Sequence, residues 1–206
     1  YGFTVNEIYR SNIKNIFKFK NQKEKNYSMT ESLSLTINGL IKHLKKNKTD
    51  LVIIHGDRME ALAGAIVGIF NNIHVGHIEG GEISGTIDES IRHSVSKLSH
   101  FHFVSNEQSK KRLIQMGEFK DTIFVIGSPD LDIMKRKNLP NIKDAKKFYG
   151  INFDDFSIMI FHPVTTNNNE NKLNLEIIKK LISSKKNENF ICINPNNDPG
   201  SINFLK

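Results

Sequence analysis

The chain of 206 residues is short of several features that would assign it to a class at once. Its one cysteine, Cys192, allows no internal disulfide and no cysteine-based zinc site, so we expect a reducing, cytoplasmic setting. No apolar run is long enough to span a bilayer, and no signal-peptide pattern opens the chain. The glycine-rich phosphate-binding motifs of dinucleotide enzymes and P-loop NTPases are missing. These absences disfavour disulfide scaffolds, membrane proteins and two large nucleotide-binding classes.

Charge is unevenly distributed along the chain. The net charge is +7, yet residues 1–50 hold ten Lys or Arg against four Asp or Glu, residues 51–132 seven against eleven, and residues 133–206 twelve against seven. The basic excess consists mostly of lysines beside asparagines, which is typical of a solvated surface. A nucleic-acid interface would show a clustered basic face with interleaved aromatics or a known module. Neither occurs, so nucleic-acid binding is disfavoured.

Short apolar segments alternate with helical ones. The patterns predict strands at residues 51–55, 73–78, 101–104 and 122–126, and helices over residues 32–46 and 59–70. Two further helices are predicted to start at capping signatures, Thr86 with Glu89 and Ser105 with Gln108. This alternation predicts an α/β fold with a doubly wound parallel sheet.

A second α/β region follows a charged segment at residues 135–141, which is typical of a linker. Helices are predicted at residues 143–149 and 173–182, and strands at 157–161 and 190–193. Cys192, between two isoleucines, is expected in the core. The division predicts most of one domain at residues 1–137 and the start of another at 138–206. Because the chain begins at Tyr1 rather than Met, we expect it to be an excerpt of a longer protein.

Residues that can carry chemistry follow successive strands. Asp57 and Arg58 come after the first strand and Glu79 after the second, while Asp88 and Arg92 lie in the next helix. The carboxyl ends of parallel strands meet at one edge of the sheet, where ligands bind. Several carboxylates in one cleft acquire different pKa values and so provide an acid and a base. The pattern therefore predicts acid–base catalysis.

Simpler interpretations remain open for each residue. Asp88 and Arg92 have the spacing of an ordinary helical ion pair. Two pairs at i, i+2 spacing, His55 with Asp57 and His77 with Glu79, are compatible with ligands of a two-metal hydrolase. The residue types do not favour zinc, and we expect no metal. The remaining histidines of the region, His93, His100 and His102, are expected at the surface or in packing.

Four motifs stand in order along the chain: His55-Gly56-Asp57-Arg58, His77-Ile78-Glu79-Gly80-Gly81-Glu82-Ile83-Ser84-Gly85-Thr86-Ile87-Asp88, Ile91-Arg92-His93 and His162-Pro163-Val164-Thr165-Thr166. With the later run Pro195-Asn196-Asn197-Asp198-Pro199-Gly200-Ser201, they closely resemble the hydrolysing UDP-N-acetylglucosamine 2-epimerases, which open sialic acid biosynthesis. The resemblance implies a GT-B fold, in which two Rossmann-like domains, both incomplete in this chain, hold a nucleotide sugar between them. It also implies a cytoplasmic homo-oligomer, a dimer or tetramer, that uses neither metal nor cofactor.

The resemblance also implies roles for single residues. The catalytic residues would be Asp57, Glu79, Asp88 and His162. The substrate-binding residues would be Arg58, His77, Arg92 and, on the nucleotide side, Asn196. UDP would be eliminated across C1–C2 to give a glycal. Water would then add at C1 while C2 is reprotonated from the other face, which gives N-acetylmannosamine.

Other activities share parts of this pattern. The same chemistry is compatible with GDP-N-acetylglucosamine or with UDP-diacetylbacillosamine, a precursor of legionaminic acid. A GT-B glycosyltransferase would require an acceptor sugar, and a non-catalytic binder is disfavoured because carboxylates repel a diphosphate. The non-hydrolysing branch lacks the Gly81-Glu82…Ser84-Gly85-Thr86 pattern. Since the family's N-terminal strand with its Arg-bearing loop and its C-terminal Gly-Asn-Ser-Ser region are absent, the excerpt alone is expected to be inactive.

Overall fold

Two parallel sheets organise the chain in a computed structural model that describes residues 5–22, 28–135, 139–162 and 168–194. Among the described residues, one compact unit runs from residue 5 to 135 and a second lies between residues 139 and 194. The first unit contains, in order, α1 (Val5–Arg10), α2 (Met29–Leu44), β1 (Leu51–His55), α3 (Met59–Phe70), β2 (His74–Ile78), α4 (Ile87–Lys97), β3 (Phe101–Val104), α5 (Glu107–Gln115), a 3₁₀ turn (Lys120–Thr122), β4 (Ile123–Val125) and α6 (Pro129–Met134).

The first sheet has the strand order β1-β2-β3-β4, and every pair is parallel. The predicted parallel sheet is thereby confirmed. Each strand lies beside the next one in sequence, so all four carboxyl ends meet at one edge. Two apolar clusters fill the space between sheet and helices: Ile54, Ala61, Ala65, Val75 and Val95 in one, and Val104, Leu113 and Ile123 in the other.

Helix caps differ from the sequence-based predictions at two places. Thr86 is the N-cap of α4, but within the described residues its side chain forms no capping hydrogen bond. The Glu89 carboxylate instead accepts from the backbone N–H of Ser84 at 2.8 Å and of Gly85 at 2.7 Å, in the loop before the helix. The predicted capping box is therefore wrong, although the helix starts where expected. In α5 the N-cap is Asn106 rather than Ser105.

The second unit contains α7 (Ile142–Tyr149), β5 (Ser157–Ile160), α8 (Asn168–Ser184) and β6 (Phe190–Ile193) among its described residues. β5 and β6 pair in parallel. Cys192 is exposed, so its predicted core position is wrong. The reason is that the two-stranded sheet leaves much of its surface open, and Ile158 and Ile160 are exposed as well. No described helix combines the length and the apolar run that crossing a membrane would require.

Candidate active site

The carboxylate of Glu79 is held between the ends of two other strands. His55, the last residue of β1, places its Nε2 2.7 Å from Glu79 Oε2. Ser128, which follows β4, donates its hydroxyl to Glu79 Oε1 at 2.8 Å. Both oxygens of this carboxylate are thus engaged at the carboxyl edge of the sheet.

These contacts set the charge of Glu79. Burial alone would raise the pKa of the carboxyl, but the hydrogen bonds with His55 and Ser128 and the positive potential of Arg92 outweigh burial and lower the pKa. Glu79 is therefore a carboxylate at neutral pH. In that form it can accept a proton.

The backbone of Glu79 has an uncommon conformation. Its φ is +63°, in the left-handed region that side-chain-bearing residues rarely adopt. Its N–H donates to Phe103 O at 2.8 Å, which extends the β2–β3 pairing to this residue. Left-handed backbone costs about 1–2 kcal/mol for a non-glycine residue, and such conformations cluster at functional sites.

The two glycines after Glu79 are required by close packing. A Cβ on Gly80 would lie 2.8 Å from Ser96 Oγ and 2.9 Å from His77 Nδ1. Gly81 has a φ of +77°, and a Cβ there would lie 2.6 Å from Ser109 O. The turn therefore lies directly on α4 and α5, which fixes the direction in which Glu79 leaves β2.

Asp57 and Arg92 form an ion pair at the same edge. Arg92 Nη2 donates to Asp57 Oδ2, and only 12% of the arginine side chain and 25% of the aspartate side chain are exposed. The pair joins the turn after β1 to the middle of α4. The alternative of a simple Asp88–Arg92 helical pair is therefore wrong: among the described contacts Arg92 binds Asp57, whereas Asp88 accepts from Thr86 Oγ1 at 3.2 Å.

His77 lies fully buried beneath this edge. Its Nε2 lies 2.8 Å from Gly56 O and its Nδ1 3.0 Å from Ser96 Oγ. Because a carbonyl can only accept, Nε2 carries the proton, and the Ser96 hydroxyl donates to Nδ1. Burial lowers the pKa of His77 to about 4, so the ring is neutral at pH 7. This placement differs from the substrate-binding role that we expected, since both ring nitrogens already have protein partners.

The other expected site residues are Arg58, His162 and Asn196. Arg58 is the N-cap of α3, and its Nε donates to Glu60 Oε2 at 3.4 Å. Glu60 also accepts from Asn21 at 3.2 Å, which ties the start of α3 to the segment before α2. His162 follows β5 in the second unit. Asn196 lies outside the described residues.

Two residues of the site are not predicted by the sequence patterns. The spacing of His55 suggests only a possible metal ligand, although the residue belongs to the first motif. No motif includes Ser128. It follows β4 at the sheet edge just as Asp57 follows β1 and Glu79 follows β2, so the rule that found those two residues would have found it. Within the part of the chain that the structure describes, no group of three or more His, Cys, Asp or Glu side chains is arranged to hold a metal ion.

The chain is similar to known proteins along nearly its whole length. The sequence profile of a family described as UDP-N-acetylglucosamine 2-epimerase matches residues 4–205. A UDP-N-acetylglucosamine 2-epimerase of Neisseria meningitidis serogroup B is 45% identical and aligns with 100% of this chain and 54% of its own length. A hydrolysing UDP-N,N'-diacetylbacillosamine 2-epimerase of Legionella pneumophila is 38% identical over 97% of this chain and 54% of its own length. The chain thus spans about half the length of the curated relatives it matches.

Solved structures agree on the fold. The crystal structure of a Neisseria meningitidis UDP-GlcNAc 2-epimerase bound to UDP-GlcNAc superposes with a TM-score of 0.70 and 25% identity, over 89% of this chain and 52% of that one. A Methanocaldococcus jannaschii UDP-GlcNAc 2-epimerase in complex with UDP-GlcNAc and UDP gives a TM-score of 0.69 at 23% identity, over 87% of this chain and 51% of that one. The predicted GT-B fold class is confirmed.

Proposed function

Because the chain belongs to the UDP-N-acetylglucosamine 2-epimerase family, we propose that the protein is a hydrolysing 2-epimerase. It would convert UDP-N-acetylglucosamine to N-acetylmannosamine and UDP, the first step of sialic acid biosynthesis. The proposal rests on one observation: an ionised Glu79, bound by His55 and Ser128, shares a sheet edge with the Asp57–Arg92 pair. A carboxylate repels a diphosphate, so a site that only bound a diphosphate would be weakened by an ionised Glu79.

The reaction requires a base at C2 of the sugar. In our proposal Glu79 removes the C2 proton, the electron pair forms the C1–C2 double bond, and the C1–oxygen bond to UDP breaks. Water then supplies hydroxyl at C1 and a proton is returned to C2 on the opposite face, which inverts that centre. Asp88 is proposed for the second proton transfer, because it lies in the first turn of α4, after the Glu79 turn.

The remaining site residues are assigned to binding and orientation. Asp57, fixed by Arg92, would orient the sugar, and Arg58 would meet the diphosphate. His162 and Asn196 would contribute from the second domain, near the phosphate and the nucleotide. We propose that residues 1–137 and 138–206 belong to the two Rossmann-like domains, in a cytoplasmic homo-oligomer that needs no metal or cofactor. His77 would support the site from beneath instead of binding substrate.

The relatives also support the hydrolysing branch. Two proteins whose names specify hydrolysis, from Legionella pneumophila and Campylobacter jejuni, match 97% and 85% of this chain at 38% and 37% identity. Both are named as diacetylbacillosamine 2-epimerases. The same chemistry on UDP-N,N'-diacetylbacillosamine is therefore the second candidate function.

Proton NMR of the full-length protein in deuterated water tests both candidates. With UDP-N-acetylglucosamine and EDTA present, we expect free N-acetylmannosamine that carries deuterium at C2, together with UDP. Turnover of the diacetylbacillosamine nucleotide alone would keep the mechanism and change the substrate. Turnover that required an acceptor sugar would replace the proposal with a glycosyltransferase, and loss of turnover with EDTA would contradict the metal-free mechanism.

A further inference from the structure

His55 connects the mostly covered carboxylate of Glu79 to solvent. The side chain of Glu79 is 20% exposed, whereas that of His55 is 53% exposed, and the two meet at 2.7 Å. Imidazole has two nitrogens, so it can take a proton on one while it releases a proton from the other. It is also the side chain whose charge changes most readily near neutral pH. His55 thus has the position and the chemistry to move a proton between Glu79 and water.

The two carboxylate oxygens of Glu79 have different hydrogen-bond partners, Ser128 and His55. The hydroxyl of Ser128 donates to Oε1, so that oxygen is held as an acceptor, while Oε2 faces the ring that can exchange a proton. Although Ser128 is the N-cap of α6, it makes no capping hydrogen bond with that helix in the described structure. Its hydroxyl is committed to Glu79. Besides these partners, the charge that acts on Glu79 is that of Arg92, which favours the carboxylate form.

We propose that His55 is the proton relay of this site and that Ser128 is a positioning residue for Glu79. This inference rests on the proposed function. After C2–H cleavage the proton resides on Oε2 of Glu79. In the resting site Nε2–H of the neutral ring donates to the carboxylate. Exchange of ring protons with water gives the tautomer protonated on Nδ1, whose free Nε2 accepts the proton from Oε2. The imidazolium then releases its Nδ1 proton to water, so Glu79 returns to the carboxylate, His55 returns to its resting tautomer, and no other reactant is consumed.

His55→Gln is the variant that separates a relay from a structural contact. The amide nitrogen of glutamine can reach the position of Nε2 and donate to Glu79, but it cannot take up a proton. We expect kcat of the full-length enzyme to fall by about a hundredfold, at the low end of what acid–base groups contribute. His55→Ala leaves room for a free ring beside Glu79, so added imidazole should raise the rate of that variant in proportion to its concentration. His55→Gln, whose amide fills the space, and the wild type should not respond.

Ser128→Ala is the matched control. It removes the other hydrogen bond to Glu79, so kcat should fall, but imidazole should not restore it. If His55→Gln keeps wild-type turnover, or if imidazole does not restore turnover to His55→Ala, the relay is refuted. His55→Asn repeats the test if the melting curve shows that the glutamine variant does not fold.

The assay also separates the two proposals. If the wild-type enzyme releases no UDP from either candidate nucleotide sugar, the proposed function fails and the relay fails with it. If the wild type turns over but the rate of His55→Ala shows no dependence on imidazole, only the relay fails.

Discussion

The buried neutral His77 should make the first unit sensitive to mild acid. Burial lowers the pKa of His77 from 6.5 to about 4 in the folded protein. Between these values the unfolded chain binds a proton that the folded chain does not, so the free energy of unfolding decreases as the pH falls. From about pH 7.5 to about pH 5 the loss amounts to about 2 kcal/mol, and it reaches about 3 kcal/mol below the folded pKa.

Urea unfolding of the full-length protein, followed by far-UV circular dichroism, measures this effect against His77→Gln. The glutamine amide can still donate to Gly56 O but does not titrate. At neutral pH we expect the variant to be less stable than the wild type, since it replaces a fully buried ring that is bonded at both nitrogens. As the pH is lowered to about 5, the difference in unfolding free energy should shrink by about 2 kcal/mol.

His102 is the main confounding group, and the comparison removes it. It lies opposite His77 in the β2–β3 register, and burial lowers its pKa as well, although the nearby Glu118 opposes that shift. Because His102 is present in both proteins, its contribution largely cancels in the difference. A difference between wild type and His77→Gln that stays constant from neutral pH to about pH 5 would refute the reasoning.

Three further substitutions test the site. Gly80→Ala would place a Cβ 2.8 Å from Ser96 Oγ, so the free energy of unfolding in urea should fall by about 1–3 kcal/mol and UDP should be released more slowly. Unchanged stability and turnover would contradict the packing argument. Asp57→Asn leaves the largely buried Arg92 without its anionic partner, so the free energy of unfolding should fall by about 1–3 kcal/mol. In a double-mutant cycle with Arg92→Gln, purely additive changes in that free energy would contradict the pairing. Asp88→Asn should reduce turnover about a hundredfold while the urea midpoint stays the same, and full turnover would exclude Asp88 from proton transfer.

Much of the first unit was predictable because its signals are local. Apolar runs of the right length identified every strand of the first sheet, and the residue after each strand was placed at one edge by the parallel topology alone. Asp57 and Glu79 were found in this way. The same rule applies to Ser128, which follows β4.

Features that depend on distant contacts were not predictable. The left-handed backbone of Glu79 follows from its pairing with Phe103 and from the packing of the glycine turn on two helices. His77 lies in the same motif as Glu79, and no pattern shows which of the two faces the interior. Arg92 has a carboxylate four residues earlier in its own helix, yet it pairs across 35 positions with Asp57, because the turn after β1 brings that group closer.

The wide spacing of the groups around Glu79 has a consequence for the order in which the protein is made. Ser128 is synthesised 49 residues after Glu79, and His55 24 residues before it. On the ribosome both His55 and Glu79 are therefore present before Ser128 has been made, and the arrangement is complete only after β4 has emerged and added to the sheet. A nascent chain that stalls before this strand lacks Ser128 and its hydrogen bond to Glu79. The full set of contacts can therefore exist only in a chain whose first sheet has finished assembling.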